Sequence, residues 1–132
     1  MPQRFVKIRW VKQWPDLRVV WVNISKLDAA WQLDGVYYVP AGAPKSRHRY
    51  DKFAGWIATR PSKVMMPMVT ALEDGRVSFT DGRHRFAWFR DHGAKFMPVG
   101  TGPCAVAALA KLCGTKSRIC RLPLPIRPRY LP

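Results

Sequence analysis

The sequence predicts a single α+β domain, on three observations. Its 132 residues suit one domain, and 48% hydrophobic residues supply a core with no need of disulfides or metals as staples. The β-branched and aromatic run Val19-Val20-Trp21-Val22, continued by Ile24 and broken at Ser25, reads as a strand over Arg18–Ile24. The Asp74-Gly75 pair between two apolar runs signals a hairpin, and segments with helical spacing lie between the strands.

Met1–Pro15 mixes Phe5, Ile8, Trp10 and Trp14 with basic residues and shows no clean period. After the first strand, Leu27–Leu33 reads as a short helix with Ser25 or Asp28 near its start. Gly35–Val39 is a short apolar run closed by Pro40–Pro44. Ser46–Thr59 is the next helix, because Tyr50, Phe53, Ala54 and Ile57 recur at helical spacing, and Pro61 stops it. Arg47, His48, Arg49 and Lys52 then face away from the core or towards a ligand. Met65–Leu72 is strand-like, with Pro67 marking a strand start or an edge, and Arg76–Thr80 returns after the turn. His84–His92 is a short helix with Gly93 as its left-handed C-cap. Phe96–Val99 is a strand, and Ala105–Leu112 a buried helix ended by Gly114. Leu122–Pro132 contains Pro123, Pro125, Pro128 and Pro132 and reads as an extended basic tail, or as a polyproline ligand for an aromatic groove. The chain thus divides into a basic aromatic N-terminal segment (1–18), a folded domain (19–114) and a basic Pro-rich tail (115–132).

Charge sets the class of partner. Twenty-three Lys and Arg stand against 8 Asp and Glu, a formal +15, and each phosphate such a surface neutralises releases counterions. A polyanion is the expected partner; an anionic membrane surface or an acidic protein are the alternatives. Both ends are positive, so Arg4, Lys7, Arg9, Lys12, Arg121, Arg127 and Arg129, with Arg47 and Lys52, are the candidate DNA-binding cations. No signal peptide or apolar run long enough to cross a membrane is read in the chain. Cys104, Cys113 and Cys120 match neither a zinc nor a CxxC spacing and read as reduced thiols. Among the tryptophans, Trp21, Trp31, Trp56 and Trp88 fall on apolar faces and are expected in the core, whereas Trp10 and Trp14 sit among cations and suit either base stacking or packing.

The chemistry concentrates at Arg76–Ala87, where a strand enters a glycine turn and passes straight into a helix. A helix start offers unpaired N–H groups and partial positive charge, so Arg83, His84 and Arg85 there oppose the dipole by a few tenths of a kcal/mol each. A bound anion reverses that sign. The competing reading is that Asp81 caps the helix while Arg83 and Arg85 are solvated. His84 is the candidate for phosphate contact or proton transfer, and His92 for a helix-end charge or cap. Carboxylates for metal-assisted cleavage are few: Asp81 is the best placed, then Asp51 and Asp91, and Asp74 belongs to the hairpin turn.

Asp81-Gly82-Arg83-His84-Arg85 followed by Phe86-Ala87 resembles the signature box of the ParB/sulfiredoxin superfamily, and the hairpin Met66–Thr80 before it and strand Lys95–Val99 after it follow that family's order. Within the superfamily, Leu27-Asp28-Ala29-Ala30-Trp31, Tyr50-Asp51-Lys52-Phe53 and Val77–Gly93 resemble the plasmid fertility inhibition factors, the oncogenic-suppression group. The resemblance implies a small mixed sheet with packed helices, in a bacterial cytoplasmic protein that blocks conjugative DNA transfer through a type IV secretion system. It also implies ATP binding and hydrolysis, with Mg2+ as a candidate companion, and DNA binding with DNA cleavage as a further activity. Gly82, Arg83, His84 and Arg85 would hold the nucleotide, joined by Lys45, Ser46 and Arg49. His84, Arg85 and Asp81 would be catalytic, with Asp81 capping the helix or holding a metal. DNA and a conjugation coupling ATPase or secretion-channel component are the implied partners. A non-enzymatic DNA- or protein-binding module that inhibits by occupancy is the second hypothesis. Arg83 stands where sulfiredoxins carry their catalytic cysteine, which argues against sulfinic acid reduction, and a basic residue replaces the acid that partitioning relatives carry after the glycine.

Overall fold

The computed structural model describes residues 5–6, 8–42 and 47–123. Its centre is a four-stranded mixed sheet built from β3 (Arg18–Asn23), β5 (Met68–Ala71), β6 (Val77–Asp81) and β7 (Phe96–Thr101), in the order β3-β7-β5-β6. β3 pairs antiparallel with β7 over its whole length, from Arg18 opposite Thr101 to Asn23 opposite Phe96. β5 runs parallel to β7 and antiparallel to β6, with a bulge between Met68 and Val69. The Asp-Gly signal is realised as the β5–β6 hairpin, where the Leu72 N–H donates to the Arg76 carbonyl at 2.7 Å and Asp74 accepts from the Arg76 backbone and guanidinium.

Four helices accompany this sheet: α1 (Ile24–Trp31), α2 (Arg47–Ala58), α3 (Arg83–Asp91) and α4 (Val106–Cys113). α1 starts earlier than its apolar spacing suggested, because Asn23, not Ser25 or Asp28, is the cap: its Oδ1 accepts the Lys26 N–H at 3.0 Å. Its inward positions Ile24, Leu27, Ala30 and Trp31 follow the helical period. α3 is buried on most of its circumference, with Phe86, Ala87, Trp88 and Phe89 all in the core, and Gly93 turns out of it at φ 89 as expected. α4 corrects the expectation of a buried helix, since only Leu109 and Cys113 of its eight residues are buried. Gly35–Val39 forms turns rather than regular structure, with Val36 and Tyr37 exposed.

Three pairings join segments distant in sequence. β1 (Phe5–Val6) pairs antiparallel with β8 (Leu122–Pro123), so the first residues of the Pro-rich segment do enter a ladder. β2 (Trp10–Val11) pairs parallel with β4 (Val64–Met65), splitting the run expected as one strand at Met66-Pro67. Gly114 bridges to Val22, and the Thr115 N–H donates to the Trp21 carbonyl. Trp10 rests 5.1 Å from Phe89, a packing role, while Trp14 is exposed. The three cysteines are free; burial pushes the Cys113 and Cys120 thiols up to about 12, so both stay protonated and unreactive at neutral pH.

Candidate functional site

A cleft of about 630 Å3 opens between α2 and the turn from β6 into α3. Gly82 makes that turn. It occupies the N-cap in left-handed conformation (φ 82, ψ 21), and an added Cβ would lie 2.9 Å from Pro67 Cα and 3.0 Å from Pro67 Cβ. With glycine at the cap, no side chain caps α3, so the expectation of Asp81 as the cap is corrected. The Asp81 carboxylate instead faces the Arg85 guanidinium at 3.3 Å.

The two arginines of the turn behave differently. Arg85 folds back: its Nη1 donates to the Met65 carbonyl at 3.0 Å, its Nη2 pairs with Asp81, and its side chain keeps only 18% exposure. It clasps the turn to the end of β4. Arg83 has no carboxylate partner among the described residues, and its guanidinium lies over the Tyr37 ring, 5.3 Å from the centroid. His84 is buried, and its Nε2 has no hydrogen-bond partner. Burial, with Arg83 and Arg49 adding repulsion, pushes its pKa below the ordinary 6.5, so the ring is neutral at pH 7.

The facing wall is one stripe of α2. Arg49, Lys52, Phe53 and Trp56 recur at i, i+3, i+4 and i+7 and all line the cleft. Phe53 is fixed by core rings, 5.5 Å from Trp88 and 6.0 Å from Phe89. Trp56, expected in the core, is 44% exposed: α2 buries only Tyr50 and Ile57, and Trp56 falls off that line. The periodicity of the sequence places an apolar stripe, but it does not say how deep the helix sinks. Among the described residues, neither Arg49 nor Lys52 has a carboxylate within ion-pair distance. The donor set, two arginines and a lysine around a glycine turn, fits a phosphate. It fits a protein-held metal poorly, because Asp81 is the one carboxylate lining the cleft and is paired with Arg85. No group of three or more His, Cys, Asp or Glu suited to a metal occurs among the described residues.

Of the candidate site residues, the cleft therefore gathers Asp81, Gly82, Arg83, His84, Arg85 and Arg49, and it adds Lys52, expected on a DNA surface. Phe53, Phe79, Thr80 and Trp56 went unread as cleft residues. Lys45 and Ser46 lie outside the described residues, as do Arg4, Lys7, Arg127 and Arg129. Of the other candidate cations, Arg9 and Arg121 are exposed, Lys12 donates to the Pro15 and Leu17 carbonyls, and Arg47 pairs with Asp51 at 3.3 Å. Asp91 is no cleft residue; it is buried at the C-terminal end of α3 in a network with Arg90. His48 is exposed, and His92 closes α3, donating through Nδ1 to the Trp88 carbonyl at 2.7 Å.

These features define a basic α+β protein with a cation-lined cleft at a strand-to-helix turn. Residues 19–114 match the family described as plasmid fertility inhibition factor, and the chain belongs to that family. A solved structure, the oncogenic suppression activity protein described as a plasmid fertility inhibition factor (gold(I) cyanide derivative), is similar at 26% identity with a TM-score of 0.59 over 75% of this chain. The match spans 57% of the length of that protein. No curated protein matches the sequence. No helix among the described residues is long and apolar enough to cross a membrane.

Proposed function

We propose that this chain blocks conjugative DNA transfer through a type IV secretion system in the bacterial cytoplasm, holding ATP in the cleft and DNA on its basic surface. One observation carries the reading: Arg49, Lys52 and Arg83 line one cleft with the Gly82 turn, and none of them has an ion-pair partner among the described residues. Like charges brought together at a helix start destabilise the free protein, and an anion removes that cost. Arg83, Arg49 and Lys52 would neutralise phosphate oxygens, the α3 N–H groups would donate to them, and Arg85 would hold the turn in shape through Met65 and Asp81. A divalent ion would depend mainly on the phosphates, with Asp81 as the one nearby carboxylate.

The occupancy reading is favoured by a different observation. Asp81, the one carboxylate that lines the cleft, is engaged with Arg85, so the lining holds no unengaged carboxylate as a general base for hydrolysis or DNA cleavage. In that reading, the loaded protein inhibits by binding DNA, a coupling ATPase or a secretion-channel component.

The test is to measure labelled ATP binding and turnover, plasmid nicking with Mg2+ or with EDTA, and transfer frequency in donor cells. Arg83→Ala is expected to weaken ATP about tenfold, the scale of one charge-assisted contact, and to release inhibition. Inhibition by wild type that never hydrolyses ATP selects occupancy. Unchanged binding and inhibition in Arg83→Ala would remove the cleft from the function.

A further inference from the structure

The α2 wall supplies more than charge. Along its cleft stripe, Arg49 and Lys52 come first, then Phe53 and Trp56, so cations give way to rings within two turns. Phe53 is held by Trp88 and Phe89, and Trp56 leans on Phe53 with ring centroids 5.8 Å apart. The Trp56 indole is therefore set on a rigid footing, yet it is 44% exposed and lines the cleft. A large ring left half in water beside unpaired cations suits a ligand that is both planar and anionic. The cleft's 630 Å3 lies in the range of small-molecule sites.

We infer that Trp56 is a nucleobase platform, so that the cleft recognises a nucleotide rather than a bare phosphate, and does so with little preference among bases. The inference rests on the phosphate reading of the Gly82 turn. Base-indifference follows from the chemistry of the wall: ring faces stack on any base, whereas telling bases apart needs donors and acceptors matched to their edges. Beside the charged groups, the lining offers only Thr80, the buried His84 and the Trp56 indole N–H as neutral hydrogen-bonding side chains.

The experiment is calorimetric titration of the full chain with ATP, GTP, CTP and inorganic tripolyphosphate, for wild type, Trp56→Ala, Trp56→Phe and Arg83→Ala. Loss of one stacking face is expected to weaken all three nucleotides about tenfold in Trp56→Ala, with Trp56→Phe recovering most of it. Tripolyphosphate should bind Trp56→Ala as it binds wild type, and Arg83→Ala should weaken all four ligands. If tripolyphosphate rivals ATP in wild type and Trp56→Ala changes nothing, the platform is wrong while the phosphate seat stands. If one base is preferred more than about thirtyfold, a gap beyond a single stacking contact, base-indifference is wrong. If no ligand binds, or Arg83→Ala leaves tripolyphosphate unaffected, the phosphate reading fails and the platform fails with it.

Discussion

The two ends of α3 use the same side chains to opposite effect. At the C-terminal end, Arg90 donates through Nε to Asp91 at 2.9 Å and through Nη1 to Asp28 at 3.0 Å, and it also reaches the Val39 carbonyl. Asp91 accepts from Tyr50 Oη at 2.9 Å and from the Gly42 N–H at 3.1 Å, while Asp28 accepts from Tyr38 and Gln32. That cluster ties α1, the Val39–Gly42 segment, α2 and α3 together, and two carboxylates face one guanidinium. At the N-terminal end, one carboxylate faces one of the arginines, while Arg83 and, across the cleft on α2, Arg49 and Lys52 have no carboxylate partner among the described residues. The difference teaches that an arginine is read by its local charge balance. Compensated and buried, it is architecture; in excess on a cleft wall, it is a candidate anion contact.

The largest expected effect lies at the compensated end. Asp91→Ala leaves Arg90 with Asp28 as its one carboxylate among the described residues and removes an acceptor of the Tyr50 hydroxyl and the Gly42 N–H, so urea unfolding should show a loss of about 3–5 kcal/mol. A loss under about 1 kcal/mol would erase the contrast between the ends. Gly82→Ala comes next. It forces a Cβ into left-handed backbone and against Pro67, and should cost about 2 kcal/mol in the same measurement. At the uncompensated end, Arg83→Ala and Lys52→Ala should leave stability within about 0.5 kcal/mol while weakening tripolyphosphate; a clear loss of stability would make those cations structural.

The smallest effect is a slope with pH. The native pKa of His84 lies below the unfolded value of 6.5. The unfolded chain therefore takes up the proton first as pH falls, so this contribution is complete above 6.5 and is lost between 6.5 and the native value. His84→Asn should flatten that part of the stability profile, read from urea midpoints across the window. An unchanged slope would mean that the ring is hydrated rather than desolvated.

Much of the fold was legible because its signals are local. The β-branched run placed β3, Asp74-Gly75 placed the hairpin, and Gly82 and Gly93 bracketed α3. The two-residue pairings of Trp10–Val11 with Val64–Met65 and of Phe5–Val6 with Leu122–Pro123 carry no local period, so only the assembled chain reveals them. The cleft was half legible. The glycine and its cations stand next to one another in sequence, but the facing wall depends on how α2 docks on α3. Trp56 looked like core because spacing distinguishes faces but not depth, and Arg85 looked like a ligand because nothing local shows that Met65 offers its carbonyl. Asp81 looked like a cap because the cap role had already passed, unseen, to a left-handed Gly82.

Gly82 has one more consequence. The Pro67 carbonyl accepts the Gly100 N–H at 2.8 Å, pinning the break between β4 and β5 to β7, and the same proline fills the space that a Cβ at position 82 would need. Steric demand from a neighbour thus suffices to keep a side chain out of position 82, whatever the cleft holds. A descendant that had abandoned its ligand would retain the glycine and shed the cations. If the proposed phosphate seat is right, Arg49, Lys52 and Arg83 are the letters that track function among relatives, and the glycine tells only that the scaffold survives.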